Sequence, residues 1–327
     1  LYDDRAATRA STGASAFAHT AAIHSGSVTA ATHVTLDPVN VKLDANGNKV
    51  RESRDSKEHP ESLAIGVFFD VTGSMGHMPR VLQQKLGTLM NLLLSKGYVE
   101  HPQILYGAIG DANSDRAPIQ VGQFESGLEM EDDLTKIYIE SGGGGTRSES
   151  YELVPYFFAR HTATDCWEKR GIKGYLFTMG DEKPYEFVSR AQVKQFIGVD
   201  VQADLPLKTV ASEVQERYHW FHLLVPQGSN YGADTKKAWI DVLGERCLTL
   251  DKPENVAEYI AMTIGLNEGK IDVDMGVRDL VGVGVDKNTA TKVLNALVPL
   301  AAAGTIAKTG TATGIHAAPR TTDVTRL

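Results

Sequence analysis

A chain of 327 residues is too long for one minimal domain, and its 42% apolar and 7% aromatic content is ample for a buried core. The net charge of −8 argues against bulk attraction to nucleic acid or an anionic membrane surface. Cys166 and Cys247, spaced neither as CxxC nor as a disulfide framework, fit a reducing compartment.

No run approaches the roughly 18 apolar residues of a membrane helix. The start, Leu1-Tyr2-Asp3-Asp4-Arg5, lacks the basic and apolar regions of a signal peptide, so the cytoplasm is the expected location; without an initiator Met, the start reads as trimmed. Residues 1–61 form an extension rich in Ala, Thr, Ser and Gly. Alternation predicts strands over 27–36 and 39–43, and Asp44-Ala45-Asn46-Gly47-Asn48 predicts a hairpin turn. The charged run 51–60, ending in Pro60, reads as a linker or surface loop.

From Leu63 the texture changes. Leu63 to Phe69 is a continuous apolar run, as a parallel strand covered on both faces requires. A helix is predicted over 78–96, with Leu86, Leu89, Met90 and Leu93 facing a core, followed by a strand over 104–109 and a shorter edge strand over 118–124. Helices at 130–140 and 148–161, a strand at 174–179, helices at 189–197 and 206–217, a strand at 220–225, a helix at 235–243, a strand at 247–250 and a helix at 254–264 complete the series. Short apolar strands alternating with helices mean an α/β fold: a doubly wound, mostly parallel sheet flanked by helices, over 62–268. Residues 269–327 form a C-terminal extension with one helix at 288–303 and a polar tail. Both extensions read as arms that order against the same domain or a neighbouring subunit.

In a doubly wound sheet the working site lies beyond the carboxyl ends of the central strands. The loop after the first strand reads Asp70-Val71-Thr72-Gly73-Ser74-Met75: one carboxylate and two hydroxyls within five residues. Ser141 to Thr146, with four glycines, brings another hydroxyl, and Gly180-Asp181-Glu182 follows a later strand. Asp70, Thr72, Ser74, Thr146 and Asp181 are therefore expected on one rim. Asp111 reads either as a turn residue or as a group linked to that rim. Met75 and His77 are candidates for its partner-facing edge, whereas Asp115 and Glu182 read as solvated surface acids.

The Asp70-x-Thr72-x-Ser74 element resembles the metal-ion-dependent adhesion site of the von Willebrand factor type A (vWA) family. The later Thr146 and Asp181 match the family's second and third loops, over residues 62–268. The resemblance implies a Mg²⁺ site, with Mn²⁺ or Ca²⁺ as substitutes, whose ligands are hard oxygens. Ser74, Thr72 and Thr146 would be hydroxyl ligands, Asp70 the orienting carboxylate and Asp181 a carboxylate behind them. An open coordination position would take an Asp or Glu from a protein partner. Many family members carry Asp-Gly where this chain has Gly180-Asp181, which shifts the carboxylate by one residue.

The implied function is a non-enzymatic, metal-dependent protein-binding module within a multi-subunit complex, with an AAA+ ATPase or another subunit as partner. The alternative is an assembly subunit of a filament, shell or phage-like particle that self-associates through its arms. An enzyme would need a nucleophile–base pair, a poised acid or a cofactor fingerprint, and the sequence carries no such motif. The glycine run lacks the Lys-[Ser/Thr] of a P-loop. His219 and His222 stand three apart on an expected strand, on opposite faces, so they cannot share a zinc ion. RNA as a partner runs against the acidic balance.

Overall fold

The computed structural model describes residues 17–75, 77–140 and 147–302, with Ser74, Pro79, Leu82, Gln83, Leu86, Ala301 and Ala302 described by backbone alone. The expectations for Thr146, the glycine run before it, the Ser74 hydroxyl, the Leu86 side chain and the tail beyond Ala302 lie outside the described residues.

A mostly parallel six-stranded sheet organises the chain: β1 (Leu63–Asp70), β2 (Pro102–Ile109), β3 (Ile119–Val121), β4 (Gly174–Gly180), β5 (Tyr218–Leu224) and β6 (Cys247–Thr249). Their spatial order is β6-β5-β4-β1-β2-β3. Every neighbouring pair is parallel except β2 and β3, which run antiparallel at one edge. β1 and β4 are buried along their whole length, which is why their sequences are apolar without alternation.

The α-helices of seven residues or more are α1 (Ala18–His24), α2 (Met78–Ser95), α3 (Glu129–Lys136), α4 (Leu153–Arg160), α5 (Arg190–Phe196), α6 (Leu207–Arg217), α7 (Ala233–Leu243), α8 (Val256–Asn267), α9 (Val273–Gly282) and α10 (Lys287–Ala302). Among them α8 packs against both α2 and α10, α9 against α10, and α6 against both α4 and α7. Leu89, Met90 and Leu93 of α2 are buried as expected. α8 is apolar nearly all round because it is enclosed on nearly every side. Gly66 lets α4 lie close on β1, since a Cβ there would come within 2.3 Å of the Phe158 ring. Among the described residues no helix is long and apolar enough to cross a membrane.

The chain runs from β1 outward through β2 and β3, then returns to the other side of β1 for β4, β5 and β6. That reversal opens a crevice at the carboxyl ends of β1 and β4.

Several local expectations are corrected. Residues 27–36 and 39–43 form no strand; Asp37 caps a 3-10 turn over Pro38–Asn40 instead, through Val39 N to its Oδ1. Proline presets that turn and cannot donate to a ladder. The hairpin turn is present, closed by a single bridge between Leu43 and Lys49. Arg51–Ser53, expected as linker, is a strand parallel to Thr162–Thr164. The helix expected from 148 starts only at Leu153, because Ser148 and Glu149 pair instead with Lys183 and Pro184. Helices α1 and α9 had no counterpart in the sequence reading. Phe17, Leu36 and Val41 before the sheet, and Leu280, Leu294 and Leu297 after it, belong to the same apolar core as β1.

Candidate functional site

β1 delivers Asp70 to the crevice fully buried. The Thr72 backbone N–H and hydroxyl both donate to Asp70 Oδ1, at 2.8 and 2.6 Å. This Asx-type turn bends the chain into a 3-10 turn over Gly73–Met75 that leads to α2. The other carboxylate oxygen, Oδ2, accepts from the Tyr151 hydroxyl at 2.9 Å. His77 is exposed at the start of α2. Met75, a candidate for the partner-facing edge, is instead fully buried in the core, because the 3-10 turn carries its side chain inward.

Asp111 follows β2 and is fully buried. It accepts from the Asn113 backbone and side-chain N–H groups, both at 3.0 Å, from the Ser114 hydroxyl and from Tyr185 Oη at 3.1 Å. It is thus both a turn residue and part of the rim. Asp181, just past β4, is also fully buried and accepts from the Asn230 N–H at 2.9 Å. The one-residue shift to Gly180-Asp181 therefore still leaves the carboxylate near Asp70, close enough for their charges to interact.

Three further carboxylates, not anticipated from the sequence, complete the cluster. Glu149 and Glu152 are buried on the segment leading into α4. Glu182, expected as a solvated acid, is also buried. Asn230 Nδ2 donates to its carboxylate, and Trp239 Nε1 donates to its carbonyl at 2.9 Å. Long-range partners override the polarity of the side chain. Asp115, the other expected surface acid, is half-buried, and its carboxylate accepts from the Asp111 N–H.

These groups disfavour one another's charge. Burial pushes the Asp70 carboxyl up to about 7, and Asp181 adds to the rise against the donors Thr72 and Tyr151. Burial, then the charges of Asp70 and Glu182, pushes Glu149 up to about 11. Glu152 is raised well above its ordinary value by burial and by Asp111. Glu182 is raised by burial and Asp181. Glu149 Oε2 and both Glu152 carboxylate oxygens are buried without a well-formed hydrogen bond, although the N–H groups of Glu152 and Tyr185 face the Glu152 carboxylate and favour its charge, and Glu149 and Glu182 interact through a side-chain hydrogen bond. Lys183 pairs outward with Asp234 at 3.2 Å.

Such a rim is a source of hard oxygen ligands. Asp70, Thr72, Asp111, Glu149, Glu152, Asp181 and Glu182 are described residues that could supply them. Among the described residues, no three His, Cys, Asp or Glu side chains converge as a ready-made ligand set. A set built on hydroxyls would depend on Thr72, Ser74 and Thr146 instead. The two histidines behave as expected: His222 is buried and stacked on Trp239 at 3.5 Å, whereas His219 turns to the other face against Tyr175.

No family model matches the chain, and no curated protein matches it. Among solved structures it is similar to proximal thread matrix protein 1 from the mussel byssus, at 11% identity and a TM-score of 0.41, over 66% of this chain and 48% of that one. It is also similar to the pilus adhesin SpaC from Lactobacillus rhamnosus GG, at 9% identity and a TM-score of 0.44, over 67% of this chain and 31% of the adhesin. The chain spans less than half the length of either, and likeness at this level carries no argument about function.

Proposed function

We propose that the rim is a divalent-cation site, for Mg²⁺ first and Mn²⁺ or Ca²⁺ in its place, through which a non-enzymatic vWA-type module captures a carboxylate of a protein partner. The observation that carries this reading is the set of buried carboxylates beside the Asp70–Thr72 turn, whose strongest charge interactions are with one another. Buried carboxylates without compensating charge are costly, and a bound cation offsets that cost. Glu149 Oε2 and the Glu152 oxygens, buried without a well-formed hydrogen bond, fit such an occupant.

By resemblance, Thr72, Ser74 and Thr146 would hold the ion through hydroxyls, with Asp70 and Asp181 as carboxylates around it. The ion would supply a hard, electrophilic centre able to take one more oxygen ligand. An Asp or Glu side chain is the matching chemistry on a partner, which we place in a multi-subunit complex, as an AAA+ ATPase or another subunit. The chain's own part is to orient these oxygens: Thr72 and Tyr151 hold the two oxygens of Asp70, and Asn230 holds Asp181.

The test is a calorimetric titration of Mg²⁺ and Mn²⁺ into the full chain and into Asp70→Ala, with circular dichroism to check the fold. Saturable binding is expected in the wild type, weakened at least ~100-fold in the variant. No binding by the wild type refutes the metal reading. Coupled with a large assembly at every metal concentration, that result would favour a scaffold subunit. Deleting residues 1–40 would not separate these readings, because Phe17 and Leu36 are part of the folded core.

A further inference from the structure

We propose that Tyr151 is a positioning residue of the cation site, its hydroxyl occupying the space of a missing side chain at position 180 and holding Asp70 in its orientation. This rests on the metal reading above. The Tyr151 side chain is fully buried, and its hydroxyl donates to Asp70 Oδ2 at 2.9 Å. A Cβ on Gly180 would lie 1.8 Å from that hydroxyl and 2.7 Å from Cζ, so the tyrosine can be seated only because residue 180 has no side chain.

The seat is rigid. The ring stands edge-on to His222 at 5.3 Å and to Trp239 at 5.2 Å, and those two rings stack on each other. His222 Nδ1 lies 3.0 Å from the Thr178 hydroxyl, and Trp239 is tied to the Glu182 carbonyl. The backbone beside Tyr151 is fastened to the Asp111 loop, with Ser150 N donating to the Gly110 carbonyl at 3.1 Å and Ala112 N to the Ser150 hydroxyl at 2.9 Å.

The consequence falls on the ligands. Asp70 Oδ1 takes both donors of Thr72, and Oδ2 takes Tyr151, so the carboxylate cannot rotate without breaking three hydrogen bonds. The Thr72 hydroxyl spends its proton on Asp70, which leaves its oxygen lone pairs to face a cation. A phenylalanine would fill the same core volume. The hydroxyl is the part that reaches the site.

The experiment compares full-length wild type, Tyr151→Phe and Gly180→Ala by calorimetric titration of Mn²⁺ and Mg²⁺, with melting temperature measured alongside. The expected result is a cation affinity weakened about 10–100-fold in Tyr151→Phe, the usual effect of removing a group that orients a ligand, with the melting temperature lowered by no more than the loss of one buried hydrogen bond. Gly180→Ala, which must displace the hydroxyl, should weaken binding as much; if it fails to fold, Tyr151→Phe still decides. A lower melting temperature with unchanged affinity would reduce Tyr151 to core filling and overturn the proposal while leaving the metal reading in place. A wild type that binds neither cation removes both.

Discussion

At the start of β1, Asp55 accepts from the Ser62 N–H and hydroxyl and pairs with Arg170 at 2.7 Å and Lys169 at 3.2 Å. Asp165 beside it pairs with Arg54 at 2.9 Å and Lys169 at 2.7 Å. Burial alone would raise these two carboxyls, but the basic partners and N–H donors outweigh it and hold both below their ordinary range. At the far end of the same strand, Asp70 and its neighbours Glu149, Glu152 and Glu182 are raised, and the charges nearest them are negative. One end of β1 is an electrostatically closed network and the other an open one. Folding alone accounts for the first, whereas the second is the place of the proposed cation site.

Removing one charge should therefore have opposite signs at the two ends. Glu149→Gln should stabilise the metal-free protein at pH 7 by up to about 3 kcal/mol, read from urea or thermal melts. A carboxyl raised in the fold contributes its stability in full below its unfolded value and loses it as pH rises. The advantage of the variant should accordingly shrink toward pH 4.5. An equal or less stable variant at pH 7 would mean that the rim is already compensated.

Arg170→Met should destabilise the closed end by about 2 kcal/mol, since it strips Asp55 of its shortest ion pair and the Ser62 carbonyl of a donor. A loss below about 0.5 kcal/mol would place this network with ordinary surface pairs.

The smallest effect is expected from His219, on β5 away from both ends of β1. Burial, then the charges of Arg246 and Lys173, lowers its pKa to about 4. A depressed histidine gives stability that is present above its unfolded value near 6.5 and is lost as pH falls toward 4. His219→Gln should recover about 1 kcal/mol at pH 5 and nothing at pH 7.5, a figure reduced for its partial exposure. In the wild type this term opposes the rim carboxylates, so only the difference between the two proteins isolates it.

The Asp70-Val71-Thr72 loop was legible because the chemistry is contiguous: a buried strand, a tight turn and a helix follow one another within a few residues. Asp111 and Asp181 were legible as the first acids past later strands. Glu149 and Tyr151 were not, since helical periodicity from Leu153 onward extends naturally backward over them. What removes 148–152 from the helix is a parallel pairing with 183–184 and the hydroxyl slot beside Gly180, both made by residues some thirty positions away. The surface reading of Glu182 failed for the same reason, because Asn230 and Trp239 hold it inside.

By itself the sequence determined the alternation of apolar strands and helices, the sheet class, and the strand ends at which Asp70, Asp111 and Asp181 stand, because these follow from local periodicity and from which strand ends precede which loops. Only the tertiary structure decided that 51–53 is a strand, that the residues before β1 are core, and that six buried carboxylates share one crevice while Asp55 and Asp165 at the other end of β1 are neutralised. Those outcomes depend on which distant groups meet in a medium of low polarity, where pairing or its absence sets the energy of a charge, and no local pattern of residues encodes that meeting.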